Sequence, residues 1–442
     1  MGTLIHNGLL CTNNNDNHIL LDGAVYFNDG IIVETGKSGD LLTKYSTHSK
    51  IDAEGKLIMP GWINAHMHCY STYARGLVIQ KLPGKFSEIL ENLWWKLDKA
   101  LDSESIYFST LIPAISAIKN GVTAFIDHHS SPNCIDGSLD RIEDALSQIG
   151  MRASLCYEVS DRNGKEKTQQ GIKENIRFIK KCNKPDNLNG LYSAMFGLHA
   201  SFTLNDETLL QVRAQNKDLD SGFHIHLAEG PDDNNLEIKA MRAAHRLDRF
   251  GILGNKTVAA HGNHLNDEEL DLVSGSGTMI IHNPQSNMNN AVGRADIFKM
   301  MDKNILVGIG SDGMNATLYP EIRTANLIHK HDSGNPNTGW NEIQKIALKN
   351  NPEIFQRISG QKIGRIEPGF LADLILVDYY PPTEVTPQNL WGHILFGIAD
   401  ARVDTTIING RIVMQNCDLP GISEREVAEK SREFAEKVWR RI

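Results

Sequence analysis

The stretch PGWINAHMH, residues 60–68, decides the fold prediction because it separates two different patterns of apolar residues. Residues 1–59 alternate apolar and polar side chains and break at Asn-Gly, Asp-Gly and Glu-Gly pairs, which is typical of short strands joined by hairpin turns. After residue 60, short apolar runs alternate with longer amphipathic stretches, which is typical of βα units around a parallel sheet. We therefore expect a β domain to end, and an α/β barrel to begin, at this stretch.

Eight apolar runs after residue 60 are candidate strands, which is the number that a closed (β/α)₈ TIM barrel needs. They are WINAHMH (62–68), VTAFIDHH (122–129), RASLCYEV (152–159), YSAMFGLHA (192–200), FHIHLAE (223–229), TVAAHG (257–262), TMIIHNPQ (278–285) and ILVGIGSD (305–312). Helical patterns such as ESIYFSTLIPAISAIKN (104–120) lie between most of them.

The strand-and-turn pattern returns after residue 365, and residues 423–442 have helical periodicity. The two ends of the chain are therefore alike in type, and the middle differs from both. The simplest assembly is a small composite β-sandwich domain of residues 1–59 and 366–442, which includes the C-terminal helix. The (β/α)₈ barrel of residues 60–365 would then be inserted between its two parts.

Composition excludes several functional classes. The net charge of -9, from 45 basic and 54 acidic residues, gives no reason to expect nucleic acid or an anionic membrane as a partner. The six cysteines are scattered and contain no C-x-x-C pair, so a disulfide framework is not expected. The N-terminus lacks a basic region followed by a long apolar core, and no run approaches the length of a membrane helix. We therefore predict a cytoplasmic protein.

Histidine or aspartate stands at or near the end of most of the eight candidate strands. These residues are His66, His68, His199, His224, His226, His261, His282 and Asp312, and Glu229 follows the fifth strand. In a barrel, the carboxyl ends of the strands surround the active site, and residues i and i+2 share one face of a strand. Imidazole and carboxylate groups bind divalent ions such as zinc, which activate water. Each histidine alone is more often a hydrogen-bonded barrel residue, so only the ensemble favours a metal site.

These segments resemble the signatures of the amidohydrolase superfamily along the whole chain. PGWINAHMH is similar to its P-G-x-x-[DN]-x-H-x-H signature, FHIHLAE to its H-x-x-E segment, AAHG to its strand 6 histidine, GIGSDG to its strand 8 aspartate, NPQSNMNNAVG (283–293) to its N-P-x-S-N-M segment, and GRIEPGFLADLILVD (364–378) to its return into the β domain. Within the superfamily, the chain resembles the aminohydrolase and chlorohydrolase branch, which includes guanine, cytosine and S-adenosylhomocysteine deaminases. ENLWWKLDKALDSES (91–105), IDHHSSP (126–132) and DRNG (161–164) resemble the SsnA-like aminohydrolases.

The resemblance implies a role for each matching residue. His66, His68, His226 and Asp312 would hold the metal, Glu229 would shuttle protons, and His261 would contact the attacking water or the substrate. The histidine of GLHASFT, His199, would face the substrate, although Leu198 and Phe202 depart from the family's P-H-[AS]-P-Y-T pattern. No lysine stands near the end of strand 4 to bridge two metals, which favours one divalent ion per chain. Zinc is the default, and iron and manganese remain open.

The implied reaction is hydrolytic deamination of a small aminated heterocycle such as a purine, pterin or pyrimidine. Asp312 would be the general base, and Glu229 would protonate a ring nitrogen. Two hydrolytic alternatives use the same metal site, namely removal of a halide and opening of a cyclic amide. A non-catalytic relative that binds or assembles through the barrel is a further alternative, although every expected ligand position is filled.

Several residues have two open interpretations. Trp94 and Arg162 are candidate substrate-binding residues beside His199, but core packing of the tryptophan and ordinary ion pairing of the arginine are at least as common. Which of His128, His129 and His224 line the site is left open, although His224 shares a strand face with His226. Cys69 alternates away from the face of His68, so it is not expected to be a ligand. The resemblance also implies a homo-oligomer, either a dimer or a tetramer, and a small-molecule substrate.

Overall fold

The computed structural model describes residues 2–79, 83–184, 190–235 and 239–442. The strands in these ranges are β1 Thr3–Cys11, β2 Ile19–Asn28, β3 Ile31–Lys37, β4 Ser49–Asp52, β5 Leu57–Pro60, β6 Trp62–Met67, β7 Val122–His129, β8 Arg152–Tyr157, β9 Tyr192–Ala194, β10 Phe196–Ala200, β11 Phe223–Leu227, β12 Val258–His261, β13 Met279–His282, β14 Val307–Ile309, β15 Leu374–Asp378, β16 Arg402–Ile408 and β17 Arg411–Met414. The α-helices are Ser38–Lys44, Phe86–Ile89, Trp95–Ala100, Ser103–Lys119, Ser138–Ile149, Lys165–Cys182, Asp206–Asn216, Ala243–Arg249, Asp267–Ser276, Pro284–Asn289, Ile297–Asp302, Tyr319–Ser333, Trp340–Lys345, Asn351–Ser359, Leu390–Phe396 and Glu424–Trp439. A π-helical turn, Leu90–Trp94, joins the second and third of these helices.

Two parallel sheets form the central part of the chain. One has the order β6-β7-β8-β9 and the other the order β10-β11-β12-β13-β14. Isolated parallel bridges join the two sheets at both ends, between Val159 and Leu198 and between Met67 and Asp312. A strand lies in each of the eight predicted runs, and the fourth run is divided at Met195 into β9 and β10. The strand residues are almost all buried, as expected for parallel strands that are covered on both faces.

Helices alternate with these strands, and their ends follow from local sequence. Asp102 accepts a hydrogen bond from the backbone of Ser105, and the Ser105 hydroxyl accepts one from the backbone of Asp102, so the helix Ser103–Lys119 begins with a capping box. The helix Ser138–Ile149 ends at Gly150, whose φ of 72° is the left-handed conformation that glycine adopts without strain. These stops return the chain to the next strand with short connections.

The third sheet contains strands from both ends of the chain. Its order is β17-β16-β15-β5-β1-β2-β3, with β4 paired to β1. Strand β5 runs antiparallel to β15, with Pro60 opposite Leu374 and Leu57 opposite Val377. Arg152 at the start of β8 forms a two-point buried ion pair with Asp373, with nitrogen–oxygen distances of 2.7 and 3.0 Å, and so ties this sheet to the central strands.

Among the described helices, none combines the length and the apolar composition that a membrane crossing requires.

Candidate metal centre and active site

The predicted metal-binding residues lie together at the carboxyl ends of the parallel strands. His66 is in β6 and His68 directly follows it, His226 is in β11, His261 ends β12, and Asp312 follows β14. The ligand atoms of His66, His226, His261 and Asp312 all lie within 4.8 Å of one another. His68 Nε2 lies 3.1 Å from Asp312 Oδ1 and 3.2 Å from His226 Nε2, so it belongs to the same cluster.

A glycine allows the first and last strands of this arrangement to come close enough for the cluster to form. A Cβ atom on Gly310 would lie 2.7 Å from the carbonyl oxygen of His66, which is closer than real Cβ contacts. That oxygen accepts backbone hydrogen bonds from Ser311 and Asp312, at 2.9 and 3.0 Å. The GIGSD sequence therefore places the Asp312 carboxylate beside the His66 ring.

The hydrogen bonds behind the rings orient three imidazoles toward one point. The Nδ1 atom of His68 donates to the His128 carbonyl at 2.6 Å, and that of His226 donates to the His199 carbonyl at 2.9 Å. His261 Nδ1 lies 2.8 Å from the Asn287 side-chain oxygen. Since carbonyl oxygens only accept, Nδ1 holds the proton and Nε2 presents a lone pair to the cluster.

The unsatisfied atoms at this point suit a cation. In the described part of the chain, the buried His66 Nε2 and His261 Nε2 have no hydrogen-bond partner. His68 Nε2 and His226 Nε2 face each other at 3.2 Å, so either a proton or a metal ion has to lie between their lone pairs. A nitrogen-rich set of imidazoles with one carboxylate is the donor set that zinc prefers. The residues present therefore fit a divalent ion.

Electrostatics hold most of these groups in ligand form. Burial lowers the pKa of His66 to about 3 and lowers the pKa values of His226 and His261, so these rings are neutral at pH 7. Burial opposes the ionisation of Asp312, but the His66 and His68 rings, whose Nε2 atoms lie 3.5 and 3.1 Å from Oδ1, lower its pKa well below the usual range. Burial also disfavours the charged form of His68, yet the Asp312 carboxylate raises its pKa to about 9. A metal ion has to displace that one proton.

Neighbouring histidines could form other clusters, but their nitrogens are already used. His128 Nε2 lies 3.0 Å from the Leu198 carbonyl, and its Nδ1 lies 3.2 Å from Glu158 Oε2. His224 Nε2 contacts His66 Nδ1 at 2.9 Å. His128 therefore pairs with oxygens that only accept, and His224 orients the ring of His66. This favours the cluster around Asp312 over the groupings that include His128.

Glu229 lies beside the cluster, where the sequence predicts a proton shuttle. Its Oε2 atom is 3.5 Å from His261 Nε2. Burial, and then the charge of Asp312, raise the pKa of Glu229 well above its usual value, which favours the protonated form that can donate a proton. Ala228 has a φ of 50°, and the Asp233 carboxylate accepts its backbone N–H. This turn directs the Glu229 side chain toward His261.

A cavity of about 380 Å³ opens onto the cluster. Its lining includes the predicted substrate-binding residues His199, Trp94 and Arg162. The full set is His68, Tyr70, Lys85, Phe86, Ser87, Leu90, Glu91, Trp94, Trp95, Asp98, Glu158, Arg162, His199, Ala200, Phe202, His226, Glu229, Gly230, Asp232, Asp233, Asn235, Asn290 and Asp312. The sequence left open whether three histidines line the site. All three are absent from the described lining of the cavity, namely His128, His129 and His224. His129 instead bonds to Ser131 at 2.9 Å.

Sequence reasoning missed several residues that this site uses. Glu158 and Asp98 contact Arg162 in the cavity wall, and Ser286 donates a hydrogen bond to Asp312. A signal for Glu158 existed, because it stands at the end of the third predicted strand, as the other candidates do at theirs. Asp98 follows Trp94 by four residues, which is the spacing of one helix face. For Ser286 the sequence offered only its place in the N-P-x-S-N-M segment.

A histidine–carboxylate cluster at the ends of parallel strands, with the buried carboxyl group of Glu229 beside it, defines a metal-dependent hydrolase on an α/β fold. Residues 57–413 match the amidohydrolase family, and the chain belongs to that family. It is accordingly a hydrolase of carbon–nitrogen bonds other than peptide bonds.

Curated relatives match almost the full length of the chain. A 5'-deoxyadenosine deaminase of Methanosarcina mazei is 30% identical over 450 residues, covering 99% of both chains. A 5'-deoxyadenosine deaminase of Methanobrevibacter smithii is 32% identical over 446 residues, covering 96% of this chain and 98% of that protein.

A solved structure gives the fold. The zinc-bound adenosine deaminase of Xanthomonas campestris superposes with a TM-score of 0.86 at 21% identity, covering 99% of this chain and 98% of that one. The fold is therefore of the TIM-barrel α/β type.

Proposed function

We propose that this chain hydrolytically deaminates a small aminated heterocycle such as a purine, pterin or pyrimidine. The observation that carries the proposal is the position of the buried Glu229 carboxyl group, 3.5 Å from His261 and beside the cluster around Asp312, where burial raises its pKa. A deaminase needs an acid at this point, because the ring nitrogen next to the attacked carbon gains a proton as the ring loses its aromaticity. The names of the matched relatives support the same reaction class.

The proposed metal ligands are His66, His68, His226 and Asp312, and the proposed metal is a single zinc ion. Their nitrogen-rich donor set supports zinc, while iron and manganese are the alternatives that metal analysis would reveal. A bound divalent ion would supply an activated water molecule at the base of the cavity.

The chain's own groups then move the protons. Asp312, held by Ser286, takes a proton from the attacking water, while Glu229 gives its proton to the ring nitrogen. The substrate then carries the new hydroxyl group and the amine on the same ring carbon. Glu229 takes the hydroxyl proton, and the proton on Asp312 passes to the amine, which leaves as ammonia. His261 lies 3.5 Å from Glu229 and 4.0 Å from Asp312, so it can orient the attacking oxygen. Both acids end in their starting forms.

Substrate-binding roles are proposed for His199, Trp94 and Arg162. Their position in the cavity wall supports these roles. His199 bonds to Thr203 at 2.7 Å through Nδ1, which leaves Nε2 available to a ligand. For Arg162, ion pairing with Asp98 and Glu158 supports a role in substrate binding that acts through these two neighbours.

We also propose the finer features of the architecture. The two isolated bridges, Val159–Leu198 and Met67–Asp312, support a closed barrel over residues 60–365. A composite β-sandwich of residues 1–59 and 366–442 is supported by one buried core that both segments share. Exposed Phe396 and Leu327 supply apolar surface for the predicted homodimer or homotetramer. The cytoplasmic location stays a prediction from the sequence.

Ammonia release tests the proposed function directly. The metal-loaded protein would be assayed against aminated purines, pyrimidines, pterins and triazines, with and without a chelator. Release from at least one compound, abolished by the chelator and restored by zinc, is the expected result. If none of the compounds releases ammonia while one ion stays bound per chain, the deaminase proposal fails.

A further inference from the structure

The cavity wall carries more acidic than basic side chains. Among the lining residues that the structure describes, seven are carboxylates and only two, Lys85 and Arg162, are basic. The carboxylates are Glu91, Asp98, Glu158, Glu229, Asp232, Asp233 and Asp312. Such a wall attracts cations and repels anions, more strongly in its buried part, where water and salt screen charge less.

Arg162 does not reverse this imbalance, because two carboxylates already contact its Nη2 atom, while its Nε and Nη1 atoms have no hydrogen-bond partner among the described residues. Its Nη2 atom contacts Asp98, lies 3.4 Å from Glu158 Oε1, and bonds to Ser130 at 3.2 Å. The side chains of Arg162, Asp98 and Glu158 are 9%, 1% and 3% exposed, so the three charges meet away from bulk water. The guanidinium also lies against the ring of Trp95, with 5.2 Å to its centroid. With two carboxylates against one guanidinium, this group adds no net positive charge to the cavity wall.

The other basic side chain stands at the mouth of the cavity. Lys85 is exposed, and the exposed carboxylates of Glu91 and Asp232 belong to the same lining. A divalent ion adds two positive charges next to Asp312. Even if Glu229 and Asp233 are both counted as neutral, five carboxylates face two basic groups and one divalent ion, so the balance remains negative.

We infer that this cavity accepts uncharged or cationic amino-heterocycles and rejects those that carry a carboxylate or a phosphate. This inference rests on the proposed function, since it names the substrate class of the same site. It assigns Arg162 a positioning role: the guanidinium holds Asp98, Glu158 and the ring of Trp95 in place. Asp98 and Glu158 are the groups that set the selectivity of the inner wall.

Matched ligand pairs that share a heterocycle and differ in charge test the inference. The pairs are adenosine with adenosine 5'-monophosphate and pterin with pterin-6-carboxylate. Binding to the zinc-loaded protein would be measured by calorimetry, and kcat/KM by ammonia release. We expect the anionic member of each pair to be at least about tenfold weaker in both measurements. Equal or tighter binding of the anionic member overturns the inference.

Two variants test whether the carboxylates of the cavity wall cause the selectivity against anionic ligands. Asp98→Asn removes one carboxylate partner of Arg162. It should reduce the ratio of the Kd values of the anionic and neutral members of each pair by about tenfold. Asp232→Asn, at the exposed rim, should narrow it by about twofold, and it keeps the test valid if Asp98→Asn does not fold. Glu207→Gln is the matched control, because this carboxylate is 80% exposed and absent from the lining. If the control alters the ratio as much as either variant, the lining carboxylates are not its source.

The measurements separate the inference from the proposed function. If neutral compounds bind more tightly than their anionic partners but none releases ammonia, the charge selectivity holds and the deaminase proposal fails. If neutral and anionic compounds are deaminated at equal kcat/KM, the deaminase proposal holds and the selectivity fails.

Discussion

The carboxylate of Asp233 accepts the backbone N–H of Ala228, the residue that precedes Glu229. Ala228 has a φ of 50°, which is uncommon for a residue with a side chain. A local hydrogen bond thus stabilises the backbone conformation that aims Glu229 at the reaction site.

We predict that Asp233→Ala lowers kcat by about 10- to 100-fold, since small misplacements of a catalytic group are costly. Metal content should stay at one ion per chain, because Asp233 does not belong to the histidine cluster. Asp233→Asn keeps an acceptor oxygen at this position and should restore most of the activity. Equal losses in both variants, measured by steady-state kinetics, would mean that the hydrogen bond to Ala228 is not the cause.

Glu229→Gln should retain the metal and lose turnover by a factor of about 10² to 10⁴, the usual range for a general acid. Glutamine has nearly the same shape but cannot give up a proton, so KM should change little. Glu207→Gln serves as the exposed control, with activity near that of the native protein. Near-native turnover of Glu229→Gln, with metal still bound, would exclude the proton-shuttle role.

His226→Ala should reduce bound zinc to well below one ion per chain, as measured by metal analysis after gel filtration. Because an ion that binds only the folded state stabilises it, zinc should raise the Tm of the native protein more than that of the variant. His245→Ala is a suitable control, since His245 lies in the helix Ala243–Arg249 and is absent from the cluster. Full zinc occupancy of His226→Ala would remove His226 from the ligand set.

Two buried histidines outside the metal-binding cluster should make the free energy of unfolding depend on pH. His282 and His329 lie 3.3 Å apart between their Nε2 atoms. Burial lowers the pKa of His329 to about 4 and lowers that of His282 well below its usual value. The unfolded chain takes up these protons as pH falls below about 6.5, whereas the folded chain resists until about pH 4. Stability is therefore present above pH 6.5 and is lost as the pH falls toward 4.

The His329→Asn variant isolates that effect. In the metal-free protein, urea unfolding between pH 7.5 and 4.5 should give a free energy whose pH slope is smaller in the variant by up to about 1.4 kcal/mol per pH unit. The shared histidines of the metal site cancel in the comparison. Identical slopes in the two proteins would show that His329 does not take up its proton on unfolding.

Much of the fold followed from the sequence, because strand periodicity and glycine-containing turns are local signals. The run 122–129 is a strand in the structure, the run 223–229 contains the strand Phe223–Leu227, and the pattern after residue 365 predicted the return to a strand-rich segment. The division of the fourth strand at Met195 was not predictable, because it depends on how neighbouring strands pair. Whether the terminal segments form a sandwich stays a prediction.

The site was predictable only where side chains follow strands. His66, His68, His226 and Asp312 stand in recognisable segments, and the structure brings them together. The pairing of Arg162 with Asp98 was not predictable, because these residues lie on separate segments, 64 positions apart, and meet only in the folded cavity. Likewise, no local pattern indicated that His128 would point at Glu158.

Strand β5 pairs with β15, with Pro60 opposite Leu374. In the sequence, all of the central parallel strands lie between these two strands. During synthesis on the ribosome, β5 therefore emerges long before its partner exists. The sheet of the terminal segments cannot be completed until the whole intervening segment has been translated, so its closing step comes late in folding. Until then, the free edge of β5 is exposed to pairing with other chains, which makes this edge a point of vulnerability for the nascent protein.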